Sequence, residues 1–363
     1  MPRPKTSVHN ALIVALLAAI AELISTERSL AQTTAYTVVE LSAPGPGQVG
    51  CRINNLGDLA GRSGKSGATL WSHGSLKPKH LGALPGGEYS SASAINDAGQ
   101  IAGASNTSNA IVPFTWKPTG GMQRIPLLPG DNCGQAFGIN KHGHVAGYSS
   151  GPSGARAFLW VPGTSVRNLG SLPGGRYSRA RAVNDSGEVA GTSAGPAGQR
   201  AVLWTKSGNV RDLGTLPGDT SSEATAINNG GDVVGYSKGP GGLHAFLWTA
   251  ATGMQNLGTL PGGNGSRALD INDLGAVVGS SAASSSGNHA FIWTKQTGMT
   301  DLNSAASAGL GVLLVEAHAI NSTGQILVLG KATPSGATGV PEDHNDCAPA
   351  PPSTFLLIPT PAK

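Results

Sequence analysis

The sequence predicts an all-β fold, a seven-bladed β-propeller built from repeats of about 44 residues. First, a phrase of the form Ile/Val-Asn-x-x-Gly recurs seven times, and its asparagines from Asn96 to Asn272 stand 44 residues apart. Second, a short apolar strand follows each copy and ends in tryptophan six times. Third, only 12% of residues are charged and 54 are glycine, so ion-paired helices are not expected and turns must be frequent.

One repeat, residues 221–260, shows why four strands are expected per blade. Residues 225–227 and 233–235 flank an Asn-Asn-Gly-Gly turn and should form a hairpin. Residues 245–248 are apolar on both faces, as in a strand buried between neighbouring blades. Residues 254–257 form a fourth strand, which the following Pro-Gly-Gly turn ends.

The order of strands and the closure of the ring follow from small residues and from the chain ends. Ala92, Ala136 and Ala180 place small side chains on the first strand of their repeats, which suits the crowded axis of a propeller, so this strand should be innermost. Residues 36–41 have the place of a fourth strand, and residues 354–358 that of a third. We expect these two segments to pair within one blade, because an open ring would expose an apolar edge.

Residues 1–31 are predicted to be a signal peptide. Arg3 and Lys5 precede the apolar run 11–20, and the segment ends in Ser-Leu-Ala, with small residues where a signal peptidase cleaves. Ten apolar residues are too few to cross a roughly 30 Å hydrocarbon core, so no transmembrane segment is expected. The mature chain, residues 32–363, is predicted to be a single propeller domain that is exported to the periplasm or the extracellular space.

The net charge of the chain is small, and one insertion interrupts its repeats. Removing the three basic and two acidic residues of the leader lowers the net charge from +4 to +3, and the basic residues are scattered. This pattern does not favour a nucleic-acid partner. A proline-rich insertion at about residues 337–353 interrupts the last repeat, and we expect a monomer.

These motifs resemble the extracellular repeat family named for its His-Ala-Phe (HAF) motif. The motif appears here as HAFLW at 244–248 and HAFIW at 289–293, beside LGTLPGG at 257–263 and INDLGAVVG at 271–279. The resemblance covers residues 36–336 and the last strand. It implies an exported repeat protein without an assigned reaction, and hence neither catalytic residues nor a cofactor.

Three segments match the Gly-x-Ser-x-Gly pattern of serine hydrolases, which places a nucleophile on a strained turn. They are centred on Ser149, Ser193 and Ser237. Because a nucleophile does not recur with the period of a repeat, we interpret these serines as parts of the repeat turns.

Two features raise the question of a metal. Asp97, Asp185 and Asp273 follow the repeat asparagine in turns that offer oxygen ligands to calcium, but other copies lack the carboxylate, which favours a hairpin turn. His142 and His144 stand two residues apart without a third zinc ligand nearby. No metal site is predicted.

The tryptophans and cysteines allow alternatives. The six tryptophans share one strand position, which favours a core between blades over sugar stacking. Cys51 and Cys347 both fall where the ring closes, so a disulfide between them is a hypothesis that leaves Cys133 as the third, unpaired thiol.

The predicted binding site is the rim where loops leave the second and fourth strands, because aromatic and charged residues gather there. A polar concavity with an aromatic rim is the usual form of a propeller site, although any solvated face looks similar. The ligand-binding hypothesis covers Tyr89, Tyr148, Arg176, Tyr177, Arg179, Arg181, Glu223, Tyr236, Arg267, Glu316 and His318.

Three functions remain open. The first is a non-catalytic exported propeller that binds a glycan, a peptide or an envelope protein through this loop face. The second is a polysaccharide lyase or hydrolase with an acid/base pair such as Glu223 and Arg267, although an enzyme usually breaks repeat symmetry with an isolated group of unusual residues. The third is a purely structural role.

Overall fold

The computed structural model describes residues 35–41, 48–63, 67–75, 77–283, 287–305, 312–332 and 353–360. Within these ranges the chain forms seven antiparallel sheets of four strands each, arranged as the blades of a propeller. Strand β1 (Tyr36–Glu40) belongs to the last blade, and the other strands follow blade by blade.

The first three blades are each formed by four consecutive strands. Blade 1 contains β2 (Gln48–Ile53), β3 (Leu59–Ser63), β4 (Gly67–Trp71) and β5 (Pro78–His80). Blade 2 contains β6 (Ser90–Ile95), β7 (Ile101–Asn106), β8 (Ile111–Lys117) and β9 (Gly121–Arg124). Blade 3 contains β10 (Cys133–Ile139), β11 (Val145–Gly151), β12 (Gly154–Trp160) and β13 (Arg167–Asn168).

The next three blades repeat this order. Blade 4 contains β14 (Ser178–Val183), β15 (Val189–Gly195), β16 (Gly198–Trp204) and β17 (Val210–Asp212). Blade 5 contains β18 (Ser221–Ile227), β19 (Val233–Gly239), β20 (Gly242–Thr249) and β21 (Gly253–Asn256). Blade 6 contains β22 (Ser266–Ile271), β23 (Val277–Ala283), β24 (Gly287–Thr294) and β25 (Gly298–Asp301).

Blade 7 closes the ring. A single helical turn, α1 (Leu302–Ala305), leads to β26 (Val312–Ile320), β27 (Ile326–Ala332) and β28 (Ser353–Pro359). The fourth strand is β1, which pairs with β28 in antiparallel register from Tyr36 opposite Pro359 to Glu40 opposite Phe355. The predicted closure by the two ends of the propeller is therefore confirmed.

The first strand of each repeat lies innermost, as the small residues predicted. These strands contact one another in a closed circle, from β2 through β6 and onward to β26 and back to β2. Each of them carries a bulge, which lies next to the repeat alanine in six blades, for example between Ala180 and Ala182, and next to Gly50 in blade 1. A bulge leaves one residue outside the regular pairing and changes the direction of its side chain. In blade 4 this residue is Arg181.

The core consists of apolar seams between adjacent blades. Phe114, Phe158, Phe246 and Phe291 of the third strands are fully buried. The tryptophans pack in the same seams, and four of the six are buried while Trp160 and Trp293 are half-buried. This position confirms the inter-blade interpretation of the tryptophans.

A second seam is polar and joins all seven blades. The side-chain Nδ2 of each repeat asparagine donates a hydrogen bond to the backbone oxygen of the repeat asparagine in the next blade, over distances of 2.9 to 3.4 Å. We call this circle the asparagine ring, and its members are Asn54, Asn96, Asn140, Asn184, Asn228, Asn272 and Asn321. All seven are buried, and the bond from Asn321 to Asn54 completes the circle.

The other side of the same amide shapes the local turn. In blade 3, Asn140 Oδ1 accepts the backbone N–H groups of His142 at 3.0 Å and His144 at 2.9 Å. Gly143 completes the turn with a φ of 77°, a conformation that favours glycine. A hairpin turn alone tolerates several residue types at its first position, whereas the short asparagine side chain offers both an acceptor for the turn and a donor for the next blade.

Several predictions fall outside the described residues. They are the signal peptide at 1–31, most of the insertion at 337–353, and the disulfide, since Cys347 and the side chain of Cys51 are not described. Cys133 is half-buried, and its Sγ lies 3.7 Å from the backbone oxygen of Ser150.

The asparagine ring yields a stability prediction. Asn140→Asp keeps the turn acceptor but replaces the Nδ2 donor by an oxygen that faces the Asn184 carbonyl, at the site of a 2.9 Å bond. We expect the free energy of unfolding to fall by at least about 2 kcal/mol at pH 7, because a buried charge then faces a carbonyl oxygen.

Asn256→Asp provides the control, measured by urea denaturation alongside. Asn256 uses only its Oδ1, which accepts the N–H of Gly258 at 2.8 Å, and blade 4 carries Asp212 in the equivalent place. The control should change stability by less than about 0.5 kcal/mol. Equal effects of the two substitutions would refute the role of the ring.

Candidate functional site

Seven of the predicted site residues lie together on the loop face of blades 3 to 6. Six of them stand on the innermost or second strands, Tyr177 lies just before β14, and cross-strand pairing places Glu223 beside Tyr236. We call this group the arginine–tyrosine band, and it comprises Tyr148, Tyr177, Arg179, Arg181, Glu223, Tyr236 and Arg267.

Arg179 lies at the centre of the band. Its guanidinium carbon is 4.6 Å from the ring centroid of Tyr148 and 5.4 Å from that of Tyr177. Phe137 stacks on Tyr148 with ring centroids 5.8 Å apart, which fixes the plane of that ring. These contacts are cation–π interactions that hold a rotamer-rich side chain in one place.

Two further arginines repeat this arrangement between adjacent blades. The guanidinium of Arg181 lies 4.7 Å from the ring of Phe137, and that of Arg267 lies 5.4 Å from the ring of Tyr236. Burial lowers the pKa of Arg181 from its ordinary value, because desolvation disfavours the charged form. In both cases the arginine reaches back to the preceding blade.

Glu223 supplies the negative charge of the band. Its Oε1 accepts a hydrogen bond of 2.8 Å from Gln199 Nε2, on the third strand of blade 4. Burial raises the pKa of Tyr236, and the charge of Glu223 and a hydrogen bond to it raise that pKa further. Neither Arg179 nor Arg267 lies within 4.0 Å of a Glu223 carboxylate oxygen, so these opposite charges do not form ion pairs.

The remaining predicted residues lie apart from the band. Glu316 is buried, with Oε1 2.8 Å from His318 Nε2, and its Oε2 accepts a hydrogen bond of 3.3 Å from Ser280. Tyr89 contacts Arg62 at 5.2 Å on blades 1 and 2. Arg176 is exposed in the loop before β14. Seven of the predicted residues therefore belong to the band, and the other four lie apart from it.

One buried carboxylate on an innermost strand was not predicted from the sequence. Asp270 stands two residues before its repeat asparagine, where most other blades have alanine or glycine, and this departure is a signal that could have identified it. Its carboxylate accepts the N–H groups of Ile271 and Ile320, both at 3.0 Å. Burial raises the pKa of Asp270, while Arg52 and these backbone bonds oppose the rise.

The end of the innermost strands that lies away from the arginine–tyrosine band surrounds an opening at the axis of the propeller. A cavity of about 200 Å³ opens there, lined by the asparagine ring and the residues on either side of it. The carboxylates considered for calcium serve as hydrogen-bond acceptors between blades: Asp97 Oδ1 accepts from Asn55 N at 2.8 Å and Asp185 Oδ1 from Lys141 N at 3.0 Å. Among the described residues no cluster of three or more His, Cys, Asp or Glu has a metal-binding arrangement.

The serines of the Gly-x-Ser-x-Gly segments are buried members of the blades. Ser193 Oγ accepts the N–H of Leu172 at 2.8 Å and donates to the backbone oxygen of Ala194 at 3.1 Å. The corresponding serines of four other blades accept the same leucine N–H at 2.9 to 3.1 Å. Their common role explains why the pattern has the period of the repeat.

Comparisons with known proteins identify the fold. The streptogramin B lyase structure matches with a TM-score of 0.55 at 12% identity, covering 90% of this chain and 98% of that chain. YCF48 bound to D1 peptide matches with a TM-score of 0.51 at 12% identity, covering 90% and 96%. A prolyl endopeptidase matches with a TM-score of 0.53 at 10% identity, covering 91% of this chain but only 52% of that chain.

At these identities the likeness concerns the propeller fold alone. No protein-family model and no curated protein matches the sequence. Within the described ranges, no helix is long and apolar enough to span a membrane.

The serine seam yields a prediction about Ser193. Ser193→Ala leaves the buried Leu172 N–H without its acceptor, so the free energy of unfolding should fall by about 1–3 kcal/mol in urea denaturation. A fluorophosphonate probe for serine nucleophiles should not label the wild-type chain. Labelling that Ser193→Ala abolishes would contradict the structural role.

Tyr236 yields a prediction about alkaline pH. Its raised pKa means that the folded state keeps the proton when the unfolded state begins to lose it, at the ordinary value of 10.0. The difference in free energy of unfolding between wild type and Tyr236→Phe should therefore be constant below pH 10.0, and the stability of wild type relative to the variant should decrease above it. Urea denaturation of both proteins across this range tests the expectation, and a constant difference would contradict it.

Proposed function

We propose that this chain is an exported, monomeric, non-catalytic binding propeller of the HAF repeat kind, which holds a glycan, a peptide or an envelope protein against the arginine–tyrosine band. The observation that carries the proposal is the set of three half-buried arginines, Arg179, Arg181 and Arg267, stacked on aromatic rings of neighbouring blades. In a chain with only 12% charged residues, such a concentration of cations on one face points to an anionic or polar ligand.

Repeat symmetry supports binding over a purely structural role. The groups that hold the blades together, such as the ring asparagines and the seam serines, recur in most or all blades. The band does not recur: at the position of Arg179, blade 2 has Ser91 and blade 3 has Gln135. A scaffold that holds without these arginines in other blades does not need them in blades 4 and 6.

The choice between binding and catalysis rests on the band and not on the fold. Propellers of this shape include both a lyase and a protein bound to a peptide, so the fold is compatible with either function. Glu223, the acid or base of the enzyme hypothesis, already accepts a hydrogen bond from Gln199, and Arg267 is stacked on Tyr236. These contacts favour positioning over proton transfer, and they support the binding proposal.

Export is supported by the pattern of residues 1–31, and fractionation of cells expressing the full chain tests it. The tagged protein should leave the cytoplasm and begin at Gln32 when its N-terminus is sequenced. A variant without residues 2–31 should stay in the cytoplasm. Cytoplasmic retention of the full chain would refute export without affecting the binding proposal.

A screen against glycan and peptide arrays tests the binding proposal. For any ligand found, Arg179→Gln/Arg267→Gln should weaken binding at least about tenfold, because two charges that contact the ligand are lost. The matched control is Arg124→Gln/Arg167→Gln, which removes the same charge from exposed sites on the outer strands β9 and β13. Equal binding by the two double variants would place the site elsewhere.

A further inference from the structure

Two arginines on one strand lack an ion pair. Arg179 and Arg181 both belong to β14 and are half-buried, and the charge of each acts on the other. Among the described residues, no carboxylate lies within 4.0 Å of either guanidinium. Glu223 acts on Arg181 only from beyond this distance. Partly desolvating two like charges without a direct ion pair costs free energy, which this charge and the aromatic stacking offset only in part.

The chain provides an internal contrast in the preceding blade. Arg156 is also partly buried, and its Nη2 lies 2.8 Å from the carboxylate of Asp131. Arg156 additionally donates a hydrogen bond of 2.8 Å to the backbone oxygen of Pro129. The fold thus gives the half-buried guanidinium of Arg156 an ion pair and a backbone hydrogen bond. It gives Arg179 and Arg181 no such ion pair.

Unpartnered polar atoms mark the same place. Arg179 Nε is buried and has no hydrogen-bond partner in the described structure. Thr192, the cross-strand partner of Arg179, is 2% exposed, and its Oγ1 also lacks a partner there. Buried polar groups without partners are rare in folded proteins, and two of them on adjacent residues indicate a place prepared for a further polar group.

We propose that Arg179 and Arg181 form a subsite for the carboxylate of a uronic-acid unit in an acidic glycan. This inference rests on the proposed binding function and names the ligand chemistry. The guanidinium fork matches a planar carboxylate in two parallel hydrogen bonds. The rings of Tyr148 and Tyr177, 4.6 and 5.4 Å from the Arg179 guanidinium carbon, hold this group in place for a carboxylate that binds through its N–H groups.

The surroundings favour a glycan over a peptide. Many peptides are held by a large apolar or aromatic side chain that anchors in a pocket. Among the described residues, the exposed large hydrophobic side chains are Leu56, Ile111 and Leu274, and none belongs to the band. The band instead presents tyrosine hydroxyls, the Gln199 amide and guanidinium groups, which suit the hydroxyls and carboxylate of an acidic sugar.

Calorimetry with defined oligosaccharides tests the subsite on the mature chain. The probes are trimers of galacturonate, glucuronate and guluronate, each beside its methyl ester, which has the same shape without the charge. At least one free acid should bind, its methyl ester should bind at least about tenfold more weakly, and affinity should fall as salt increases. Binding of no free acid, or equal binding of acid and ester, overturns the proposal.

Arginine-to-lysine variants distinguish bidentate binding by a guanidinium from simple attraction by a positive charge. Arg179→Lys keeps the charge but loses the bidentate geometry, so affinity for the free acid should fall at least about tenfold. Arg211→Lys is the matched control, since Arg211 stacks on Trp248 at 4.7 Å on an outer strand and should bind as wild type does. Unchanged affinity of Arg179→Lys, with control and variant both folded by circular dichroism, overturns the subsite.

A measurement on the wild-type chain avoids any loss of folding. In nuclear magnetic resonance spectra, adding the bound trimer should shift the Nε–Hε signals of Arg179 and Arg181 and leave that of Arg211 in place. Shifts confined to other arginines overturn the proposal. An acidic peptide that binds the band while all uronates fail would also overturn it, but would leave the proposed binding function intact.

Discussion

The architecture depends on one side-chain group, the amide of the repeat asparagine. A turn needs an acceptor for its inward N–H groups, and a closed ring needs a donor toward the next blade; the amide supplies both in one buried side chain. The circle from Asn54 to Asn321 and back ties blade to blade near the axis, where apolar side chains have little room. Apolar seams then stabilise the outer part of each blade, and pairing of β1 with β28 completes the last blade and closes the ring.

Because the repeated groups hold the ring together, the other positions are free to differ between blades. The innermost strand shows this division clearly. Its asparagine and its alanine recur in nearly every blade, whereas the position of Arg179 carries valine, serine, glutamine, glutamate or arginine elsewhere. The bulge beside the alanine adds a second variable position, which Arg181 occupies in blade 4. Function is concentrated where the scaffold makes no demand, which is the usual division between a rigid frame and the residues that it presents.

Much of the fold could be predicted from the sequence, because the residues that each blade requires recur at equivalent positions of the repeats. Blade number, strand order and closure followed from the spacing of asparagines and from the two unmatched strands. The site was harder, because it depends on contacts between blades that no single repeat contains. Composition identified the residues near the rim, but not that Arg179 stacks on Tyr148 of the preceding blade, nor that Glu316 is buried beside His318. The asparagine ring was also missed, since a turn explains the same residue from one blade alone.

Repeated groups stabilise the frame, and we propose that Arg179 and Arg181 are retained for a ligand at some cost to stability. Urea denaturation of Arg179→Met/Arg181→Met tests this most directly, because methionine fills a similar volume and packs on aromatic rings without charge. We expect a free energy of unfolding equal to or above that of wild type, together with loss of ligand binding. A decrease of more than about 2 kcal/mol with binding retained would show instead that the arginines belong to the frame.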